Sequence, residues 1–423
     1  MPRNVAEIQW GRGDDQGLET AREGAAVAER WLALDDPQRF NALSALADNL
    51  RVRIRNVEAL AVTQRAADLA HEQFGAHRPN AILARAEDDL AYVLTFIDRP
   101  AEAVALARRA LTDVNALKGD QSMDAQWALT VLARALSESG QLTEAMEAER
   151  RAIGNLTRLS TGPSVELAIR HERLGQTLLD ARRPDQALEQ MNIADRLTAA
   201  AGPVPSRWAR DMQLDRAEAL IYLARIDEGA GLVEATSRQL NDDPNHQWAR
   251  MARLRAQALH LAGQGSTAVD PASAALRRAQ DERLGPGSGA ALRVALAQAL
   301  LDAGQAKSAR PLLVEALALY DTAQVSLSPR VADALVGLGR ADLALGDAAS
   351  AVGSLKRAHE FWQRFDSENL WAAEAASCYG RALMAAGSSD AARELIERAR
   401  PRLARSPFAF HRRLIGPEPA VRG

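Results

Sequence analysis

A repeat of about 42 residues runs along nearly the whole chain and limits its fold more than any other feature. Its clearest mark is a recurring pair of alanines seven residues apart. Seven residues make two helical turns, so both alanines of a pair lie on one helix face and let another helix approach closely. A fixed period in this range is typical of a stacked helical solenoid. The pairs are Ala59/Ala66, Ala103/Ala110, Ala145/Ala152, Ala187/Ala194, Ala268/Ala275, Ala309/Ala316, Ala351/Ala358 and Ala392/Ala399.

One repeat illustrates the helical hairpin that this pattern predicts. Residues 125–139 place Leu129, Leu132 and Leu136 on one face at helical spacing. Gly140 then supplies the positive φ that ends a helix at little cost, and a second helix is predicted over residues 143–156. In two other repeats a proline, Pro100 or Pro184, starts the second helix without losing a needed N–H. The glycines at the Gly140 position elsewhere are Gly263, Gly304, Gly346 and Gly387.

The first helix of each hairpin also carries a small residue at one fixed position. Single helices of this length are marginal in water, so each hairpin needs its neighbours to bury its apolar face. One repeat departs from the pattern, because Gly229 and Gly231 fall early in its second helix. We therefore predict a local irregularity or soft point between Ile221 and Pro244. The small residues of the first helices are Ala47, Ala91, Ala133, Gly175, Ala217, Ala256, Ala297, Gly339 and Gly380.

These small positions resemble the eighth, twentieth and twenty-seventh positions of the tetratricopeptide repeat (TPR) family. The period exceeds the family's usual length of about 34 residues and is similar to the longer repeats of kinesin light chains. The resemblance covers residues 18–405. It implies an all-α fold, an α-solenoid of about nine TPR-like hairpins forming a right-handed superhelix. The scarcity of lysine, beside abundant alanine and arginine, indicates a GC-rich bacterial genome.

The pattern divides the chain into three segments. Residues 1–34 read as a partial repeat, a second helix from Leu18 to Leu34 preceded by a stub at Val5 to Trp10, and residues 35–405 form the tandem array. An array that opens in mid-repeat suggests the C-terminal part of a longer protein or a misassigned start, although a natural frayed terminus explains it equally well. Residues 406–423 are expected to be a partly disordered tail or cap.

The arginine-rich C-terminus has two interpretations. Its arginines are suited to an acidic partner, nucleic acid or a membrane surface. The alternative, which we favour, is that Phe408 and Phe410 fold back and cover the open apolar face at the end of the array.

No motif in the sequence predicts catalysis. There is no phosphate-binding loop, no paired-histidine zinc motif and no metal or cofactor site, so we expect a non-enzymatic protein. The single cysteine, Cys378, is expected to be buried and inert. With a net charge of −3 and no long apolar run, the chain is not expected to bind nucleic acid or a membrane, and a cytoplasmic location is the default.

In TPR arrays the first helices line a concave groove, and the resemblance therefore implies a set of partner-binding candidates. Tyr92 and Trp127 are suited to act as an aromatic anchor. Four arginines make the C-terminal half of the groove more basic, namely Arg250, Arg253, Arg340 and Arg381. They predict a protein or peptide partner that is acidic toward that half. The candidates are Tyr92, Trp127, Arg134, Glu172, Tyr222, Arg250, Arg253, Gln257, Arg340 and Arg381.

The function that the sequence favours is a protein–protein interaction scaffold that binds a peptide or protein in this groove. The alternative is the C-terminal regulatory or sensor region of a larger bacterial signalling protein, either a serine/threonine kinase or a winged-helix transcriptional regulator.

Overall fold

The computed structural model describes residues 15–53, 55–160, 162–202, 206–239 and 247–415. Within these ranges there are twenty α-helices, one short 3₁₀ helix at Gly265–Ala268 and no β-strand. In chain order the helices are α1 (Asp15–Trp31), α2 (Pro37–Val52), α3 (Asn56–Phe74), α4 (Ala81–Leu94), α5 (Pro100–Lys118), α6 (Met123–Glu138), α7 (Leu142–Leu159), α8 (Val165–Asp180), α9 (Pro184–Ala201), α10 (Ser206–Tyr222), α11 (Ile226–Arg238), α12 (Gln247–Leu261), α13 (Val269–Asp281), α14 (Pro286–Asp302), α15 (Ala306–Thr322), α16 (Pro329–Ala344), α17 (Ala348–Phe365), α18 (Leu370–Ala385), α19 (Ser389–Ala404) and α20 (Ala409–Arg413).

The helices alternate between the two roles that the repeat predicts. We call the even-numbered helices from α2 to α18 the A helices and the odd-numbered ones from α3 to α19 the B helices. Successive A helices begin about 42 residues apart. The prediction of an all-α array of nine hairpins is confirmed. Helix α1 is a further B helix, and the stub predicted before it at Val5 to Trp10 lies outside the described residues.

The chain forms two compact units. Unit 1 comprises Met1–Thr177 and Glu189–Ala209, and unit 2 comprises Leu178–Leu188 and Arg210–Gly423. The sequence pattern treats residues 35–405 as one array and does not predict this division. No helix in the described ranges has both the length and the apolarity needed to cross a bilayer.

The alanine pairs form the contact surfaces of the hairpins, as predicted. None of their side chains is more than 8% exposed, and most are completely buried. The A-helix position reserved for small residues is equally crowded. A Cβ on Gly380 would lie 2.8 Å from Ile396 Cγ1 and 2.9 Å from the Ala392 carbonyl oxygen, and one on Gly339 would overlap Leu355. Only small residues fit there, because the facing B helix occupies the space of a side chain.

The turns between A and B helices confirm the roles assigned to glycine and proline. Gly140 and the matching glycines adopt positive φ, with values from 73° to 90°. Pro100 and Pro184 begin α5 and α9. In these two repeats, which lack the glycine, Asp98 (φ 57°) and Arg182 (φ 60°) occupy the left-handed region instead. That conformation costs a non-glycine residue on the order of 1–2 kcal/mol, so another contact must favour each of them.

The departure at Gly229 has a steric basis that the sequence pattern does not predict. Gly229 stands where other B helices carry the first alanine of the pair, and it is buried. A Cβ on this glycine would lie 2.7 Å from the Ala217 carbonyl oxygen and from Ile221 Cγ1. Gly229 therefore permits a close approach of α11 to α10. The second half of the predicted soft point, residues 240–244, lies outside the described residues.

Candidate interaction surfaces

The A helices of unit 1 present an aromatic patch. Tyr92 on α4 and Trp127 on α6 meet edge to face, with ring centroids 5.6 Å apart, and Phe96 lies 5.3 Å from Tyr92. All three rings are half-buried, and Tyr92 and Trp127 pack on the alanine and leucine core of α4 to α7. The structure thus brings together the two aromatic residues that the sequence analysis selected as an anchor.

Two arginines flank this aromatic patch. The guanidinium carbon of Arg51 on α2 lies 4.7 Å from the Tyr92 centroid, and that of Arg134 on α6 lies 4.1 Å from the Phe96 centroid. Arg134 Nε donates a hydrogen bond of 2.8 Å to Thr95 Oγ1. Among the described residues, no carboxylate lies within ion-pair distance of Arg134. Burial, assisted by repulsion from Arg173, lowers the pKa of Arg134 to about 10. Arg51 NH2 lies 3.5 Å from Asp48 Oδ1, so Arg134 is the flanking arginine that has no carboxylate partner among the described residues.

Unit 1 also contains a buried acid, Glu149 on α7. Burial raises its pKa to about 7, although Arg170 and Arg173 act in the opposite direction. Its Oε2 atom is buried without a hydrogen-bond partner. The predicted groove residue Glu172 on α8 is only 7% exposed and is not displayed at the surface. Neither carboxylate faces solvent as a partner-binding group.

In unit 2 the arginines on α12 are already paired. Arg250 NH2 contacts Asp215 Oδ1 and lies 3.1 Å from Glu218 Oε2, both acids being on α10. Arg253 donates two hydrogen bonds to Glu218, of 3.0 and 2.9 Å, and a third of 3.2 Å to Gln257 Oε1. Burial would raise the pKa of Glu218, but Arg253 and Arg250 outweigh it and the pKa is lowered.

This pairing corrects the expectation that Arg250 and Arg253 attract an acidic partner. Their charges are neutralised within the unit, because carboxylates on the preceding A helix, α10, form ion pairs with them. Arg340 on α16 is similarly placed, with NH2 3.5 Å from Asp302 Oδ1 on α14. Arg381 on α18 donates a 2.8 Å hydrogen bond to the Leu414 carbonyl oxygen. None of the four arginines is displayed as the free cation that the sequence analysis expected.

Tyr222 is also not available as an anchor. Its side chain is 4% exposed and packs edge to face on Trp371 of α18, with centroids 5.3 Å apart. The guanidinium of Arg182 lies 4.7 Å from the tyrosine ring. Tyr222 therefore belongs to the interior of unit 2, which corrects its assignment as a groove residue.

Arg182, in the turn after α8, is the residue that the sequence analysis missed. Its buried side chain forms an ion pair with Asp333 on α16, and its carbonyl oxygen accepts a 3.2 Å hydrogen bond from Asn369 Nδ2. Coulombic attraction to Asp333 raises the pKa of Arg182 despite its burial. These contacts account for the left-handed backbone that Arg182 adopts where other repeats have glycine. In the sequence, the only sign of these contacts is the absence of glycine at this turn position.

The C-terminal segment, by which we mean residues 406–415, packs against unit 2. Phe408 and Phe410 are 1% and 5% exposed, in agreement with the interpretation that the phenylalanines fold back. Phe408 lies against Trp371 on α18, with ring centroids 6.1 Å apart. Phe410 reaches a different place, because its ring lies 4.1 Å from His260 on α12 and 4.7 Å from the Arg340 guanidinium. The segment thus covers the A-helix side of unit 2 as well as the end of the array.

His411 anchors the segment through polar contacts in the interior. It is completely buried, and its Nε2 lies 3.1 Å from Glu374 Oε2 on α18. The ionised carboxylate can only accept, so Nε2 carries the hydrogen. On the other side of the ring, Nδ1 lies 3.0 Å from Ser406 Oγ. Burial would raise the pKa of Glu374, but the hydrogen bond from His411 and the charges around it outweigh that effect and the pKa is lowered.

A small pocket remains between the A helices of unit 2 and the C-terminal segment. Its cavity volume is about 30 Å³, and it is partly open to solvent. The predicted residues Gln257 and Arg340 line it, together with Asp333 and Glu374. A second polar contact lies at its edge, where His260 Nδ1 and Asp302 Oδ2 are 2.6 Å apart. The full lining is Gln257, His260, Leu261, Gln298, Asp333, Val336, Gly337, Arg340, Trp371, Glu374 and Phe410.

The thiol of Cys378, on α18, is buried as predicted. Its side chain is 3% exposed and burial raises its pKa to about 12, so it remains protonated.

Comparison with known proteins identifies the fold through structure alone. No protein-family model matches the sequence, and no curated protein is significantly similar to it. Among solved structures, a Rap protein complexed with Competence and Sporulation Factor matches with a TM-score of 0.53 and 13% identity, covering 76% of this chain and 88% of that one. BtubC (BKLC) from P. vanneervenii has a TM-score of 0.43 and 17% identity, covering 55% of this chain and 94% of its own.

A putative kinesin light chain from Podosopora anserina has a TM-score of 0.32 and 17% identity, covering 57% of this chain and 97% of its own. At such identities a match shows the fold and nothing further. The match to the Rap protein agrees with the hairpins, alanine pairs and glycine turns described above. The chain is therefore an α-solenoid of the TPR-like type.

Proposed function

We propose that this chain is a non-enzymatic scaffold whose A-helix surfaces bind a segment of a partner protein. The observation that carries the proposal is the aromatic patch of Tyr92, Phe96 and Trp127 in unit 1. Half-buried aromatic rings held on rigid helices are the residues that dominate protein interfaces.

The fold comparison supports a binding role. The Rap protein that matches over most of both chains was solved in complex with Competence and Sporulation Factor, so an array of this fold is known to hold a partner. By analogy, the A helices of this chain are the natural place for a bound segment.

The charges around the aromatic patch indicate the chemistry of the segment. The Arg134 guanidinium is half-buried, lacks a carboxylate partner among the described residues and is repelled by Arg173. A carboxylate placed there would relieve the repulsion and form charge-assisted hydrogen bonds. We therefore place the acidic portion of the partner at unit 1 rather than toward the C-terminal half, where Arg250 and Arg253 already have partners.

Affinity capture with the full chain tests the proposal. Proteins retained by the wild type are compared with those retained by Tyr92→Ala/Trp127→Ala and by Arg134→Gln. The first variant removes the aromatic surface, and the second removes the charge while leaving the rings in place. We expect both variants to lose the same partner. A matched control is Trp31→Ala, because Trp31 on α1 is 72% exposed and lies outside the patch.

Circular dichroism must show that each variant keeps its helical content, since truncating two packed rings destabilises a fold. If the wild type and all folded variants retain the same proteins, the patch in unit 1 is not the binding surface and the proposal is wrong.

A further inference from the structure

We infer that the C-terminal segment is an internal ligand of unit 2, and that the surface beneath it recognises partner segments of the same chemistry, an aromatic residue followed by histidine and arginine. This inference rests on the proposed function, because it treats the A helices as binding surfaces. It adds a second surface, a second class of partner and a competition between that partner and the chain itself.

The first argument is the reach of the segment. Phe408 and His411 contact α18, whereas Phe410 contacts His260 on α12 and Arg340 on α16. Arg413 NH2 donates a 2.7 Å hydrogen bond to the Gly263 carbonyl oxygen, in the turn after α12. A cap for the last hairpin needs to touch only α18 and α19. This segment instead runs back to a hairpin three repeats earlier, as a bound peptide would.

The second argument is the specificity of the contacts. His411 is held on both ring nitrogens, by Glu374 and by Ser406. The Arg381 guanidinium binds the main chain at Leu414, and the Gly263 carbonyl oxygen binds Arg413. Side chains and main chain of the segment therefore both have polar partners. Such contacts are typical of a specific binding site, and they go beyond the covering of apolar surface.

The third argument is that the segment fills its site incompletely and has little helical structure of its own. Its only helix, α20, has five residues and cannot persist in isolation. Arg412 and Arg413 remain exposed. Beside Phe410 the pocket stays partly empty, with Gln257 and Gln298 in its wall.

One acid of the surface, Glu374, requires a donor from the segment that is bound there. The neighbouring acids Asp302 and Asp333 already have partners within unit 2. Glu374 uses one carboxylate oxygen for His411, and Asp302 contacts both His260 and Arg340. A segment that replaced the tail without supplying a histidine or arginine would leave Glu374 buried without its donor, which is costly.

Fluorescence anisotropy with a labelled synthetic peptide of residues 406–415 tests the inference on the full chain. In the wild type the tethered segment competes, so the apparent affinity is reduced by the small fraction of molecules with an open site. In Phe410→Ala/His411→Ala the tethered copy is weakened, and we expect the peptide to bind at least about tenfold more tightly. Adding Glu374→Gln to this variant should abolish the gain.

Two further variants keep the test decisive. Arg413→Ala removes one exposed anchor without emptying the interior and should give intermediate affinity. Arg405→Ala changes an exposed arginine just before the segment and should behave as the wild type. Equal affinity for the wild type and both weakened variants, absence of peptide binding to them, or binding that survives Glu374→Gln would each overturn the inference. Partner capture by unit 1 is measured separately, so failure here leaves the proposed function intact.

Discussion

Two buried glutamates, one in each unit, show two ways in which a buried charge is handled. Glu149 in unit 1 has arginines nearby, yet burial raises its pKa to about 7. Glu374 in unit 2 is also buried, yet its pKa is lowered. The difference is a direct contact, because Glu374 accepts a hydrogen bond from His411 whereas Glu149 Oε2 has no partner. Positive charge in the neighbourhood does not compensate for desolvation unless a donor reaches the carboxylate.

The arginines divide in the same way. Those on α12 of unit 2 bind carboxylates within the unit, and Arg134 of unit 1 rests on an aromatic ring and a threonine hydroxyl. An arginine that already binds carboxylates within its unit gains little from a further charged ligand. Arg134 has no such partner among the described residues, which is why we propose that it binds an acidic segment.

The largest effect is expected from breaking the ion pair between Arg182 and Asp333 in unit 2. Asp333→Ala leaves the buried Arg182 guanidinium without its carboxylate, which should lower the free energy of unfolding by about 3–5 kcal/mol. Arg182→Gly should cost less, because it removes the buried charge and relieves the left-handed backbone at the same time. Urea unfolding followed by circular dichroism compares the two. Equal or reversed costs would contradict the role given to this pair.

The raised pKa of Glu149 in unit 1 predicts the direction in which stability changes with pH. Between about pH 4.5 and 7 the folded chain holds a proton on Glu149 that the unfolded chain releases, so this residue's contribution to stability falls as pH rises. Over that window the change amounts to on the order of 3 kcal/mol. Glu149→Gln removes the titrating group.

Unfolding of the wild type and Glu149→Gln at pH 4.5 and 7.5 measures this contribution. The variant should gain stability relative to the wild type as pH rises. Glu374→Gln serves as the opposite case, since a lowered pKa contributes stability that is lost as pH falls. Parallel pH profiles for the wild type and Glu149→Gln would show that Glu149 is not the protonated acid described here.

A pair of arginine substitutions tests the same contrast directly. Arg253→Gln removes two charge-assisted hydrogen bonds to Glu218 and should cost about 1.5–3 kcal/mol. Arg134→Gln removes a charge without a carboxylate partner, so its effect on stability should stay below about 1 kcal/mol. Thermal unfolding of both variants compares their stabilities. A larger loss of stability for Arg134→Gln would contradict the distinction between the paired Arg253 and the unpaired Arg134.

The smallest effects concern α11, where the repeat pattern departs. Gly229→Ala places a Cβ 2.7 Å from the Ala217 carbonyl oxygen and should cost about 1–3 kcal/mol. Gly231→Ala meets no atom within 4 Å and should stabilise the chain by up to about 1 kcal/mol through helix propensity. If both variants destabilise α11 alike, close packing is not the reason for the glycine at position 229.

The sequence by itself determined the hairpins, because their signals are local and steric. Alanine pairs such as Ala145/Ala152 require a close helix contact, Gly140 ends a helix, and Pro184 begins one. The contact between Tyr92 and Trp127 was also predictable, since it joins equivalent faces of adjacent repeats. These features depend on residues within one or two repeats of each other.

Only the tertiary structure decided which charges are satisfied. Arg182 and Asp333 are 151 residues apart, and His411 meets Glu374 across 37. Arg250 and Arg134 look alike in the sequence, yet one finds carboxylates and the other does not. The repeat pattern fixes which face a side chain lies on, whereas the distance to a partner on another hairpin or in the C-terminal segment is set only once the array has stacked.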